Sequence, residues 1–218
     1  MIKYAAMILL VALGAVAEDK VELTGLKIVG GDQKFIEAEG SVSLTNGVLE
    51  FVAVEPGGRD YESLFTIKAK PSALQFALLL IGCEPGKDPE AGMPKSHLPV
   101  YDKGSRVVLE VEWQADGKSH RVPVTELMRP RKAGAAPEKL EWVFCGSYFT
   151  KDFSGKPLFM ADAEQAHISL WWNPGIPVNI VGDHGNPYQG DDQGFEVNTK
   201  AMPPAGTPVK LIFRKAGN

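Results

Sequence analysis

Cysteine is nearly missing from this chain of 218 residues: Cys83 and Cys145 are the two it has, so at most one disulfide can form. Both lie in apolar stretches, residues 79–83 and 142–145. Two readings stand: a bridge made in an oxidising compartment, or two buried thiols packing as small hydrophobes. Beyond residue 17 there is no long apolar run, so nothing there reads as a membrane span. Positive charge is not in excess, since 23 Lys and Arg face 27 Asp and Glu for a net charge of −4. A mildly acidic surface attracts neither phosphate backbones nor an anionic membrane, which argues against nucleic acid as a partner. There is no repeat at a fixed period and no G-x-S-x-G elbow. None of the 4 His belongs to an H-E-x-x-H or i, i+2 ligand pair.

What is present begins at the N-terminus. Met1-Ile2-Lys3 is a short positive start, residues 4–16 are almost wholly apolar, and Ala15-Val16-Ala17 puts small residues where a signal peptidase reads. Glu18-Asp19-Lys20 then turns polar. This pattern predicts a signal peptide over residues 1–17, a single domain over 18–218, and a periplasmic or secreted location. No cysteine stands at the cleavage point, which argues against a lipid anchor. With 44% hydrophobic and 23% charged residues, the remainder suits a globular domain with a real core.

Short apolar alternations dominate the rest. Strands are expected at residues 21–23, 27–29, 35–39, 42–44, 49–54, 61–67, 107–113, 120–124, 140–145, 158–160, 167–172, 177–181, 195–198 and 208–213. Asn46-Gly47 and Asp116-Gly117 read as hairpin turns, because both dipeptides tolerate the positive φ that a type I′ turn requires. Residues 125–128 read as one helical turn. Pro71 is suited to the first turn of a helix, and residues 72–81 are apolar on every side, which predicts a buried helix near residues 71–82 ended by Gly82 or Gly86. The expected fold class is α+β: a β-dominated sheet domain with that one buried helix.

Several of these stretches occur in the order of one family. Gly57-Gly58-Arg59-Asp60-Tyr61-Glu62-Ser63-Leu64-Phe65 precedes Lys70-Pro71-Ser72-Ala73-Leu74 and Ala77-Leu78-Leu79-Leu80-Ile81-Gly82. Trp142-Val143-Phe144-Cys145-Gly146-Ser147, Phe195-Glu196-Val197-Asn198-Thr199 and Pro203-Pro204-Ala205-Gly206-Thr207-Pro208-Val209 follow. This arrangement resembles the YdjY-domain family of exported bacterial proteins over roughly residues 21 to 213. The family pattern often carries His-Glu-Ser where this chain has Tyr61-Glu62-Ser63; a His-Glu pair could bind metal or move protons, and Tyr61 weakens both ideas. The resemblance implies an exported domain and transfers no activity.

Four constellations are candidates for chemistry. Glu62 and Ser63 read either as base and nucleophile or as a structural corner; neighbours on a strand point to opposite faces, so Glu62 is badly placed to serve Ser63. Cys145-Gly146-Ser147-Tyr148 has Tyr148 where a papain-like signature has its nucleophile, so that chemistry is absent. Asp183, His184, Asp191, Asp192 and Glu196 crowd a Gly-rich segment that offers oxygen ligands to Ca2+ or another divalent metal, although EF-hand spacing is missing. Trp171 and Trp172 close a strand and offer a stacking platform, or else one packs in the core and one on the rim.

These observations favour an exported, non-enzymatic binding or scaffolding module for an envelope or extracellular ligand, with no cofactor. The alternatives are a hydrolase using Glu62 and Ser63 or a metal at Asp183 and His184, and a carbohydrate- or peptide-binding module using Trp171 and Trp172. Binding positions follow as Glu62, Ser63, Trp171, Trp172, Asp183, His184 and Asn198. The sequence leaves oligomeric state open. It also leaves open whether Glu62 and the 182–194 loop share a site.

Overall fold

A computed structural model describes residues 20–31, 33–86, 103–132, 139–185, 187–190 and 192–217. The expected leader, His97 and Asp191 lie outside the described residues. The strands are β1 (Lys20–Leu23), β2 (Leu26–Val29), β3 (Phe35–Val42), β4 (Val48–Leu49), β5 (Phe51–Val54), β6 (Ser63–Ile67), β7 (Arg106–Ala115) and β8 (Lys118–Pro123). They continue as β9 (Met128–Pro130), β10 (Trp142–Phe144), β11 (Phe149–Lys151), β12 (Pro157–Phe159), β13 (Ala166–Ser169), β14 (Val178–Ile180), β15 (Phe195–Val197) and β16 (Pro208–Lys215). Two α-helices interrupt them, α1 (Pro71–Leu80) and α2 (Met160–Glu164).

The fold is β-dominated, and its main sheet closes on itself. In the order β3-β16-β7-β10-β14-β13-β5-β6 the strands form a barrel of eight, because β6 pairs back onto β3. Two of its pairings, β13 with β14 and β5 with β6, are parallel. Closure leaves those strands without open edges. β3 makes it possible by dividing one edge: Phe35 to Ala38 pairs with β2, and Gly40 to Val42 pairs with β6. Gly40 is required at the handover, since a Cβ there would lie 2.2 Å from the Thr66 carbonyl oxygen. A small sheet, β4-β15-β9, and a two-stranded ribbon, β11-β12, stand apart from the barrel.

Buried Ile36, Ala38, Leu64, Phe65, Val111, Phe144, Leu211 and Phe213 belong to one continuous core. A second, smaller cluster joins Phe51, Val54, Ala166 and Ile176.

The Asp116-Gly117 turn joins β7 and β8 as expected, with φ of +50° and +71°. The Asn46-Gly47 turn does not make a hairpin. Beyond it β4 pairs with β15 and β5 with β13 and β6, so the turn sends the chain from one sheet to another. Residues 60–62 form a 3₁₀ turn, and strand β6 starts at Ser63. A further correction concerns α1. It is not buried on all sides: Pro71, Leu74, Ala77 and Leu78 face the core, whereas Phe76, Leu79 and Leu80 are 51%, 44% and 41% exposed. An apolar circumference permits full burial, but a barrel wall covers only one side of a helix.

Both cysteines are buried free thiols. Burial pushes the Cys83 thiol up to about 11.

Candidate functional site

The most unusual polar feature is a pair of buried glutamates. Glu50 stands between β4 and β5, and Glu62 ends the 3₁₀ turn before β6; each is 6% exposed. Their backbones are joined by the bond from Glu50 N–H to the Glu62 carbonyl, 3.0 Å. Their carboxyl groups are also hydrogen-bonded to each other, which requires a proton on one of them. Burial, with that bond and the charge of Glu62, raises Glu50 from 4.5 to about 7. The pair therefore holds a proton between its two carboxyl groups.

Tyr188, in the short 3₁₀ turn Pro187–Gln189, donates its hydroxyl to Oε2 of Glu62. That bond and burial of the hydroxyl raise the phenol well above its usual value and keep it a donor. The rest of Tyr188 is exposed, as is Tyr61, and the two phenols are near enough to interact electrostatically.

Arg59 borders the pair. Its guanidinium donates to Glu164 Oε2 at 2.7 Å and lies 3.7 Å from Glu50 Oε2. It also stacks 4.2 Å above the Phe51 ring, a cation–π contact that fixes the head group. Arg131 holds the loop that carries Tyr188. Its Nη1 donates to the carbonyls of Pro187, Gly190 and Gln193 at 3.0, 3.1 and 3.1 Å.

Of the positions expected from sequence, Glu62 and the 182–194 loop do meet, through Tyr188. Ser63 is fully buried and its hydroxyl donates to the Phe65 carbonyl at 3.0 Å. Asn198 donates Nδ2 to the Glu126 carbonyl, 2.8 Å, and its backbone N–H to Leu127. His184 packs on Phe195 and bonds the Val181 carbonyl; Asp183 Oδ1 accepts the Gly185 N–H at 3.0 Å. Both line a cleft of about 300 Å3 shared with Lys132 and Asp192. Among the described residues no three His, Cys, Asp or Glu side chains converge to hold a metal ion. Trp171 and Trp172 are half-buried with their indole nitrogens inside, so the exposed tyrosines, not these rings, form the aromatic surface near Glu62.

Sequence reasoning missed Glu50, Arg59, Glu164 and Tyr188. Glu50 left a trace, as the one charged residue within the apolar stretch 48–54. Tyr188 was overshadowed by the acidic residues around it.

The YdjY domain family model matches residues 28–214. No curated protein and no solved structure matches the chain.

Proposed function

The chain belongs to the YdjY domain family, a family of unknown function, and from that premise we propose that it is an exported binding module for a polar ligand of the oligosaccharide class. The leader-like residues 1–17 support export. One observation carries the binding reading: Tyr61 and Tyr188, both 68% exposed, adjoin a buried glutamate pair. Aromatic faces of this kind take the apolar face of a sugar ring, and carboxylate and guanidinium groups beside them bond its hydroxyls. Arg131 and the Tyr188–Glu62 bond hold the surface in place before a ligand arrives, which lowers the ordering entropy of binding. The test is calorimetric titration of soluble cell-wall glycan fragments into wild type and into a Tyr61→Ala/Tyr188→Ala double variant. Binding that the double variant loses supports the reading; absence of binding to wild type refutes it.

A hydrolytic reading has one observation of its own. The glutamate pair keeps a proton near neutrality between two hydrogen-bonded carboxyls, an arrangement suited to general acid–base chemistry. In that case Glu50 and Glu62 act together and Ser63 takes no part. Release of reducing ends from the same fragments, lost in Glu50→Gln, is its signature.

A further inference from the structure

Among the described residues the strands β11 and β12 pair only with each other. Phe149, Thr150 and Lys151 of β11 are all exposed, while in β12 Pro157 is exposed and Leu158 and Phe159 are half-buried. Two strands alone are marginal in water, yet this tip is firmly built. The Asp152 carboxylate accepts the Ser154 N–H at 2.8 Å, the Ser154 hydroxyl at 2.7 Å and the Lys156 N–H at 2.9 Å. Gly155, at φ +81°, completes the turn. The result is that Phe153 projects from the tip fully exposed, with Phe149 73% exposed behind it and its ring tilted at 54° against Phe159, centroids 5.1 Å apart.

The ribbon is tied to the exposed stripe of α1. Met160 N–H bonds the Tyr148 carbonyl at 2.9 Å, joining the ribbon's base to α2. Asp162 of α2 grips Ser72, and Ser147 N–H bonds Gln75 Oε1 at 2.6 Å. Ser72 lies one helical turn before Phe76 and Gln75 lies next to it, so Phe76, Leu79 and Leu80 continue from the ribbon's base.

Charge distinguishes the occupants such a surface could take. Lys151 and Lys156 flank Phe153, and neither has an ion-pair partner among the described residues. Of the nearby acids, Asp162 bonds Ser72 and Glu164 pairs with Arg59; Asp152 accepts only neutral N–H and O–H donors and keeps its charge, so Lys151, Lys156 and Asp152 leave the tip one positive charge. A convex tip with an apolar crown and a cationic collar is complementary to the headgroup region of an anionic bilayer. We propose that the β11-β12 ribbon docks this protein onto an anionic lipid surface, with Phe153 and Phe149 entering the interface and Lys151 and Lys156 meeting the headgroups. The net negative charge of the chain argued against any such attraction; the tip separates local from global charge.

The test is flotation of the full chain with vesicles of one-third phosphatidylglycerol in phosphatidylcholine. Every variant keeps the same N-terminus, so differences report on the ribbon. Phe149→Ser/Phe153→Ser and Lys151→Glu/Lys156→Glu should each weaken partitioning about tenfold or more, whereas Lys118→Glu, on the other hairpin tip, should not. A tryptophan introduced as Phe153→Trp should shift to the blue and be quenched by brominated lipid. No vesicle binding, binding indifferent to the ribbon variants, or an unquenched tryptophan would overturn the proposal. So would sedimentation showing a dimer that depends on Phe153, since the occupant would then be a second copy.

Discussion

Tyr188 and Glu62, 126 residues apart in the chain, are joined by a hydrogen bond from phenol to carboxylate. Through it the Gly-rich loop is fastened to the corner where the chain enters β6, whose Glu62 is also bonded to a second buried glutamate, Glu50. The candidate site is this contact and its neighbours.

The glutamate pair should leave a signature in pH-dependent stability. Glu50 is raised in the folded state from 4.5 to about 7, so the folded protein binds more protons than the unfolded chain between those values. Its contribution is fully present below about pH 4.5 and is lost as pH rises to about 7. Urea unfolding of Glu50→Gln should show that decline removed, with the variant gaining on wild type as pH rises from 5 to 7.5. A variant whose deficit is constant across that range would contradict the shared proton.

His167 should act in the opposite sense. It is fully buried, with Nε2 2.7 Å from the Ala69 carbonyl, and burial pushes it from 6.5 down to about 4. The unfolded chain therefore takes up the extra proton, and stability present above about pH 6.5 is lost as pH falls toward 4, by on the order of 3 kcal/mol. A His167→Gln variant should flatten the acid limb of a thermal-stability profile.

Helix α1 is capped from a distance. Lys70 at its N-cap supplies no side-chain bond, and Asp162 accepts the Ser72 N–H at 2.8 Å instead. Asp162→Ala removes both that acceptor and a negative charge at the positive end of the helix. A loss of about 1 kcal/mol is expected in denaturant titration.

Arg131→Met would free three carbonyls in the Tyr188 loop. Stability should fall by about 1–2 kcal/mol. The diagnostic reading is local: amide exchange at Gln193 and Gly194 should quicken while core strands β3 and β16 stay protected. Uniform acceleration would mean the arginine supports the whole fold.

The two thiols should resist a thiol reagent in the native protein and both react in denaturant without reductant, since both are free and buried. One or no reactive thiol after unfolding would indicate an oxidised pair.

Strands were readable wherever local pattern and local pairing coincide. The alternating residues of β7 and the Asp116-Gly117 turn define their hairpin because both partners lie within one short stretch. Asn46-Gly47 has equally good turn chemistry and yet makes no hairpin, because its flanking segments find better partners in β13, β6 and β15. Glu62 was legible as a polar residue at a strand entry. Its surroundings were not: Glu164 and Tyr188 come from distant parts of the chain, and Glu50 and Arg59, though near in sequence, form no spaced motif with it.

The sequence by itself determined the local matters: a β-rich chain, a helix starting at Pro71, a tight turn at Asp116, and membership of a family recognisable by the order of its blocks. Only the tertiary structure decided that the sheet closes, that half of α1 faces outward, and that Glu62 meets both Glu50 and Tyr188. Propensity and hydrophobic period act over a few residues, whereas closure and carboxyl pairing depend on which distant segments share an edge, and burial of the whole core selects those.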